Sequence, residues 1–249
     1  MDKRPALPRV IGHRGAMSYA PENTLAGFRE AARRGVTWIE FDTRLSADGV
    51  AVIIHDARLE RTTSGRGPVA GTCFGKIAGL DAGAWFAPEF AGERVPRLDE
   101  AVRLAGELGL GVNIELKPNR QHQRELASAV LEVLAEGWPR HLPPALLSSF
   151  DRKVLAALRK LGSPWPSGLL VKSLPRNWHR QVAVFGCSCV NAAHDRLSRA
   201  DAQAVKSRGF VLGAYTLDDP ARARELFGWG VDAVFSNAPD VVMAGLNGI

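Results

Sequence analysis

The feature that most constrains this chain is its hydrophobic period, which switches back and forth between two values from end to end. Short apolar or alternating runs at residues 10–11, 38–45, 50–54, 112–117, 145–149, 168–171, 187–191, 211–216 and 233–236 read as strands. The stretches between them carry helical spacing instead. Leu25, Phe28, Ala31 and Ala32 precede Gly35, and Leu98, Ala101, Val102, Ala105 and Leu108 form a second set. Further helices are expected at 123–136, 151–162, 177–185 and 198–208, from Pro220 onward, and at 239–243. Asp151 and Ser198 stand where N-caps are expected, and Pro220 at a first turn, where its missing N–H is not needed. Strands alternating with helices pair in parallel through right-handed crossovers. About eight such units in 249 residues predict an α/β chain, a single (β/α)8 TIM barrel spanning 1–249. One stretch breaks the rhythm: 58–96 carries Gly65, Gly67, Pro68, Gly71, Pro88 and Pro96 and no long periodic helix. Irregular chain of that length is functional or inserted, so a small insertion is expected after the strand that ends at His55.

The charged residues gather where the strands end. His13 and Arg14 follow the first strand in Gly12-His13-Arg14-Gly15, and His55-Asp56 closes the run 50–54. In 38–45, Glu40, Asp42 and Arg44 share one face, and Ile39, Phe41 and Leu45 share the other. In 112–117, Asn113, Glu115 and Lys117 face together. Two carboxylates on one strand face cost free energy if buried without a partner. A hard divalent cation, Mg²⁺ or Ca²⁺, prefers oxygen ligands and removes that cost. Glu40, Asp42 and Glu115 are therefore candidate metal ligands, with Lys117 beside them as a fixed positive charge. The alternative is that the acids simply pair with Arg14, Arg44 and Lys117. His13 and His55 form a candidate acid–base pair, because imidazole titrates near neutral pH; the alternative is a histidine hydrogen-bonded at a strand end. With every candidate at a strand's C-terminal end, one barrel is favoured over two Rossmann-like halves.

Taken in order, His13-Arg14-Gly15, Pro21-Glu22-Asn23-Thr24, Glu40-Phe41-Asp42, His55-Asp56 and Glu115-Leu116-Lys117-Pro118 resemble the glycerophosphodiester phosphodiesterase family, most closely its cytosolic bacterial members. The resemblance runs from about Val10 to about Val242 and includes Leu80-Asp81-Ala82-Gly83-Ala84-Trp85-Phe86 and Leu147-Ser148-Ser149-Phe150. It implies metal-dependent hydrolysis of a small-molecule glycerophosphodiester to sn-glycerol 3-phosphate and an alcohol, as in glycerophospholipid breakdown. His13, His55 and Lys117 would be the catalytic set, with His13 as base and His55 as acid. Arg14 is expected to grip phosphate oxygens, and Lys117 to act on them as a point charge. Asn23 would help to build the metal's surroundings, or would be a helix N-cap. Tyr215, Phe150, Trp85 and Phe235 are candidate walls for the alcohol portion, or core. The 58–96 insertion would shape substrate access. The family's likeness to phosphoinositide-cleaving phospholipases leaves two routes, through a cyclic phosphate or by direct attack of water. Two positions depart from the family's pattern: Asp218 stands where asparagine is common, and Asn237 where aspartate is common. A metal-dependent lyase or isomerase of the enolase type is an alternative, although the chain lacks room for the extra N-terminal domain of those enzymes. A non-catalytic phosphodiester-binding barrel is another.

Composition narrows the partners. A formal charge of +6 suits an anionic substrate, yet no basic run exceeds two residues, so no nucleic-acid surface is expected. Cys73, Cys187 and Cys189 make an odd count, which argues against a disulfide framework and for a reducing compartment. With no apolar leader and no run long enough to span a bilayer, the expected location is the cytoplasm, without an integral membrane segment. His122, His141 and His179 fall on helical or loop stretches and are assigned no chemistry; His194 follows a strand and stays a candidate.

Overall fold

Among the described residues, eight strands close into one parallel barrel, and a ninth lies outside it. The computed structural model describes residues 4–247. In chain order the strands are β1 (Val10–His13), β2 (Trp38–Leu45), β3 (Ala51–Ile53), β4 (Gly111–Leu116), β5 (Leu146–Ser149), β6 (Ser167–Val171), β7 (Cys189–Ala193), β8 (Val211–Tyr215) and β9 (Ala233–Ser236). From β4 to β9 each strand pairs in parallel with the next; β2 pairs with β4, and β1 closes the ring against both β2 and β9. The 50–54 run is not one of the staves, contrary to the expected strict alternation. Its strand β3 is antiparallel to β2, with Thr43 opposite Ile53. The link between them is a turn in which Ser46 N–H donates to Val50 O. A turn that short joins antiparallel strands and leaves no room for a crossover helix.

The helices fall where the spacing places them, at α1 (Leu25–Arg33), α3 (Leu98–Leu108), α4 (Gln123–Gly137), α5 (Arg152–Lys160), α6 (Trp178–Phe185), α7 (Arg199–Lys206), α8 (Pro220–Gly228) and α9 (Pro239–Asn247); the one-turn α2 (Phe74–Ile77), inside 58–96, is not among those expected. Asp151 caps α5 by accepting from Lys153 N–H, and Ser198 caps α7 by accepting from Asp201 N–H. Thr24, not Asn23, caps α1, accepting from Gly27 N–H at 3.1 Å. The Asn23 amide is thereby free for another partner.

Two apolar layers set where a polar site can lie. Outward-facing Ile39, Phe41, Val112 and Ile114 pack with helix residues such as Phe28, Leu98 and Leu126 into the main core. Inside the barrel Ile11, Trp38, Leu146, Cys189 and Ala233, near the N-terminal ends of their strands, form a plug together with Phe235. Only the C-terminal end of the barrel is left for charged groups. The chain between β3 and α3 builds a small core of its own, in which Leu59, Val69, Ile77, Ala82 and Val95 pack on Val52 and Ile54. Cys73, Cys187 and Cys189 are all free thiols. No described helix is long and apolar enough to cross a membrane.

Gly12 precedes the first site residue at a crossing with no space to spare: a Cβ there would lie 2.3 Å from Gly15 O, a backbone atom. Gly12→Ala is expected to cost about 1–3 kcal/mol by overpacking, read as a lower urea midpoint at unchanged slope. An unchanged midpoint would contradict this close approach.

Candidate active site

A cleft of about 240 Å³ opens at the C-terminal end of the barrel, walled in part by His13, Arg14, Glu40, His55, Glu115 and Lys117. Strand register brings these groups together. His13 lies opposite Glu40 across β1 and β2, and Asp42 lies opposite Glu115 across β2 and β4. One oxygen from each of Glu40, Asp42 and Glu115 can be chosen so that all three lie within 4.8 Å of one another.

These acids are unequally compensated. Asp42 is in contact with Lys117 Nζ at 3.3 Å and Arg14 Nε at 3.3 Å, and it accepts from Asn23 Nδ2 at 2.9 Å. Burial opposes its charge, but Lys117 and Arg14 outweigh that and hold the carboxyl below its usual range. Glu115 accepts from Lys117 Nζ at 2.6 Å. Even so, burial and then the charge of Asp42 push it up. Glu40 accepts from Arg14 N–H at 3.1 Å, and among the described residues its only basic side-chain neighbour within 4.0 Å is His13, at 3.8 Å. Burial, followed by the charges of Asp42 and Glu115, raises it well above the carboxylate range. Two permanent cations reach only two of the three acids, and Arg14 is shared with Glu22, so the cluster lacks positive charge for full ionisation; an oxygen-preferring divalent cation fits this deficit.

The backbone is bent to serve the cluster. Arg14 and Asn23 both take positive φ, 51° and 59°, a region that non-glycine residues seldom occupy outside functional sites. Arg14 thereby points its N–H at Glu40, while its guanidinium donates to Glu22 at 2.8 Å. Asn23 grips Asp42 twice, since its Oδ1 also accepts from Asp42 N–H at 3.1 Å.

The two imidazoles are held differently. His55 Nδ1 lies 2.6 Å from Asp56 Oδ1, and Arg61 holds Asp56 in turn through Nε at 2.6 Å. Arg44 donates to His55 O at 2.8 Å and so fixes the backbone of that residue. His13 Nδ1 lies 2.7 Å from Asn237 Oδ1. Burial, with Arg14 next, lowers His13 to a pKa of about 4; burial also lowers His55. Both rings thus favour the neutral form that a base requires. Phe150 and Tyr215 meet edge to face at 5.9 Å on the cleft wall.

Known proteins resemble this chain in sequence and in fold. The sequence pattern of the glycerophosphoryl diester phosphodiesterase family matches residues 13–241. The chain belongs to that family. It is 33% identical over 238 residues to the putative glycerophosphodiester phosphodiesterase YhdW of Bacillus subtilis, covering 94% of this chain and 96% of that one. It is 31% identical over 235 residues to the glycerophosphodiester phosphodiesterase of Caldanaerobacter subterraneus subsp. tengcongensis, with the same coverage. Among solved structures, a phosphodiesterase of Oleispira antarctica in complex with the product sn-glycerol 3-phosphate superposes with a TM-score of 0.94, at 36% identity and 97% coverage of each chain.

Of the candidate site residues, the cleft walls include His13, Arg14, Glu40, His55, Glu115, Lys117, Phe150, Tyr215 and Phe235. Asp42 and Asn23 lie buried directly behind them. Trp85 and His194 are not on its walls; Trp85 is exposed on the segment after β3. The alternative of simple salt bridging holds in part, because Asp42 and Glu115 do pair with basic side chains. Arg44 instead spends its donors on the carbonyls of His55 and Lys117. Sequence reasoning gave no role to Glu22, Arg61 or Asp56. Glu22 lies inside Pro-Glu-Asn-Thr and Asp56 directly after His55, so the motifs already carried both. Arg61 carried no such signal: it reaches Glu22 and Asp56 only through the path of the chain after β3.

Asn23→Ala removes one donor to Asp42 and leaves Asp42 N–H without its acceptor. A loss of about 1–3 kcal/mol is expected, measured by urea unfolding of the metal-free protein. A loss within error of zero would show that the Asn23 clamp is dispensable.

Proposed function

We propose that this chain hydrolyses glycerophosphodiesters to sn-glycerol 3-phosphate and an alcohol. The observation that carries the reading is the meeting of three carboxylates from β2 and β4 with an imidazole on either side, inside one cleft. The chain's family membership and its likeness to the product-bound Oleispira protein support it. Glu40, Asp42 and Glu115 would hold a divalent ion, Mg²⁺ or Ca²⁺, which when bound stabilises negative charge on a phosphoryl oxygen.

The protein's own groups account for the rest. With the charge of a bound divalent ion added, Arg14 and Lys117 would leave the cluster net positive and would draw and orient the phosphodiester. His13, neutral and with Nε2 turned toward Glu40, takes the proton of the attacking hydroxyl. His55 gives a proton from Nε2 to the leaving alkoxide, and Asp56 at Nδ1 stabilises its charged form. Because burial disfavours that charged form, the anionic substrate itself assists in loading the proton. The attacking group is either water or the neighbouring glycerol hydroxyl, and trapping a cyclic phosphate would identify the latter. Phe150 and Tyr215 face the alcohol portion. The segment 58–96 acts as an insertion that shapes access, braced by the Arg61–Glu22 pair. Free Cys187 and Cys189 suit a cytoplasmic location.

Choline release from glycerophosphocholine is expected to fall to background in EDTA and to return with Mg²⁺ or Ca²⁺; an unchanged rate in EDTA would defeat the metal site. His13→Ala is expected to lower kcat by about 10²-fold or more, and near-wild-type turnover would remove it from the mechanism. Glycerophosphocholine bound by the wild-type chain without turnover would leave a binding barrel in place of an enzyme.

A further inference from the structure

Asp218 and Asn237 stand behind His13 on the side away from the carboxylates, at the ends of β8 and β9. Asp218 Oδ1 accepts from Ser236 Oγ at 2.7 Å, Asn237 N–H at 2.7 Å and Ala238 N–H at 3.1 Å. Its other oxygen, Oδ2, faces Asn237 Nδ2 at 3.0 Å. Burial opposes the charge of Asp218, but these hydrogen bonds outweigh it and keep the carboxyl below its usual range. An ionised carboxylate only accepts. The Asn237 amide must therefore turn its NH₂ to Asp218, which leaves Oδ1 for His13 Nδ1 at 2.7 Å. A carbonyl oxygen also only accepts, so Nδ1 is the ring nitrogen that carries the proton. Nε2, on the side of Glu40 and the cleft, is then the bare one.

We propose that Asp218 and Asn237 are positioning residues that fix the tautomer of His13, so that its cleft-facing nitrogen is held ready to accept a proton. Neither need touch substrate.

The logic predicts a crossed result. In Asp218→Asn, the three donors that converge on Oδ1 still demand oxygen there, so the new NH₂ must face Asn237. The Asn237 amide is then forced to flip, presents its own NH₂ to Nδ1, and selects the tautomer with the proton on Nε2. That ring cannot serve as base. In the double variant Asp218→Asn/Asn237→Asp, residue 237 can again only accept, and the productive tautomer returns.

The proposal rests on the phosphodiesterase reading only for its kinetic arm. On the full chain with Mg²⁺, Asp218→Asn is expected to lower kcat for glycerophosphocholine roughly 10- to 10²-fold with little change in KM, and the double variant to regain most of the loss. A residue that merely braced the loop would not be rescued by a second substitution. The spectroscopic arm needs no turnover: ¹⁵N spectra of the histidine-labelled chain, taken well above the ordinary imidazole pKa of about 6.5, are expected to show His13 protonated at Nδ1 in wild type and at Nε2 in Asp218→Asn. A wild-type ring protonated at Nε2 overturns the proposal, even if no variant folds. So does Asp218→Asn with unaltered kcat and tautomer, or a double variant no better than the single. An inactive wild type with the expected spectra would instead fault the assigned reaction and leave the tautomer device standing.

Discussion

The interaction on which this structure turns is the repulsion of three carboxylates removed from water at the open end of a barrel. Left alone, Glu40, Asp42 and Glu115 resist full ionisation; Glu40 and Glu115 are pushed upward by burial and then by the charge of Asp42. The surrounding architecture answers that cost. Arg14 bends into a left-handed conformation to aim an N–H at Glu40, Asn23 does the same to clamp Asp42, and Lys117 lies against both Asp42 and Glu115. These contacts place the acids and their partners before any ligand arrives, the arrangement that the proposed charge stabilisation of a phosphate calls for.

Around the cluster lies a shell of ion pairs that ties distant parts of the chain to the site. Glu22 is shared by Arg14 and Arg61, and Arg61 also holds Asp56 behind His55. One arginine from the segment after β3 thus joins the loop after β1 to the loop that carries the second histidine. The first histidine depends on the far side of the barrel, through Asn237 and Asp218. The two rings flank the carboxylates but answer to different anchors, one near a carboxylate and the other near a neutral amide. Such a difference in surroundings is what the proposed division of acid and base roles between the two rings requires.

Much of this was legible without coordinates because it follows from periodicity. The alternation in 38–45 and 112–117 placed the acids on one face of each strand, and the helical spacings and caps at Asp151 and Ser198 fell where they are found. The place of β3 was not legible: an apolar run does not say whether it pairs in parallel or folds back, and the short turn from Ser46 decides that. Asn23 was ambiguous for a related reason. Asn23 and Thr24 are both good caps, and only the geometry of the loop gives the cap to Thr24 and frees the amide for Asp42.

The sequence by itself determined the kind of fold, the family, and the residue types that meet at the strand ends, because these depend on local pattern and on motifs carried in short segments. Tertiary structure decided which charges compensate which, that Arg61 reaches Glu22 and Asp56, and that Asn237 rather than an acid stands against His13. Those pairings join residues up to 224 positions apart. They are set by how the barrel closes and by which donors and acceptors are left when water has been excluded, and no local pattern in the chain encodes that.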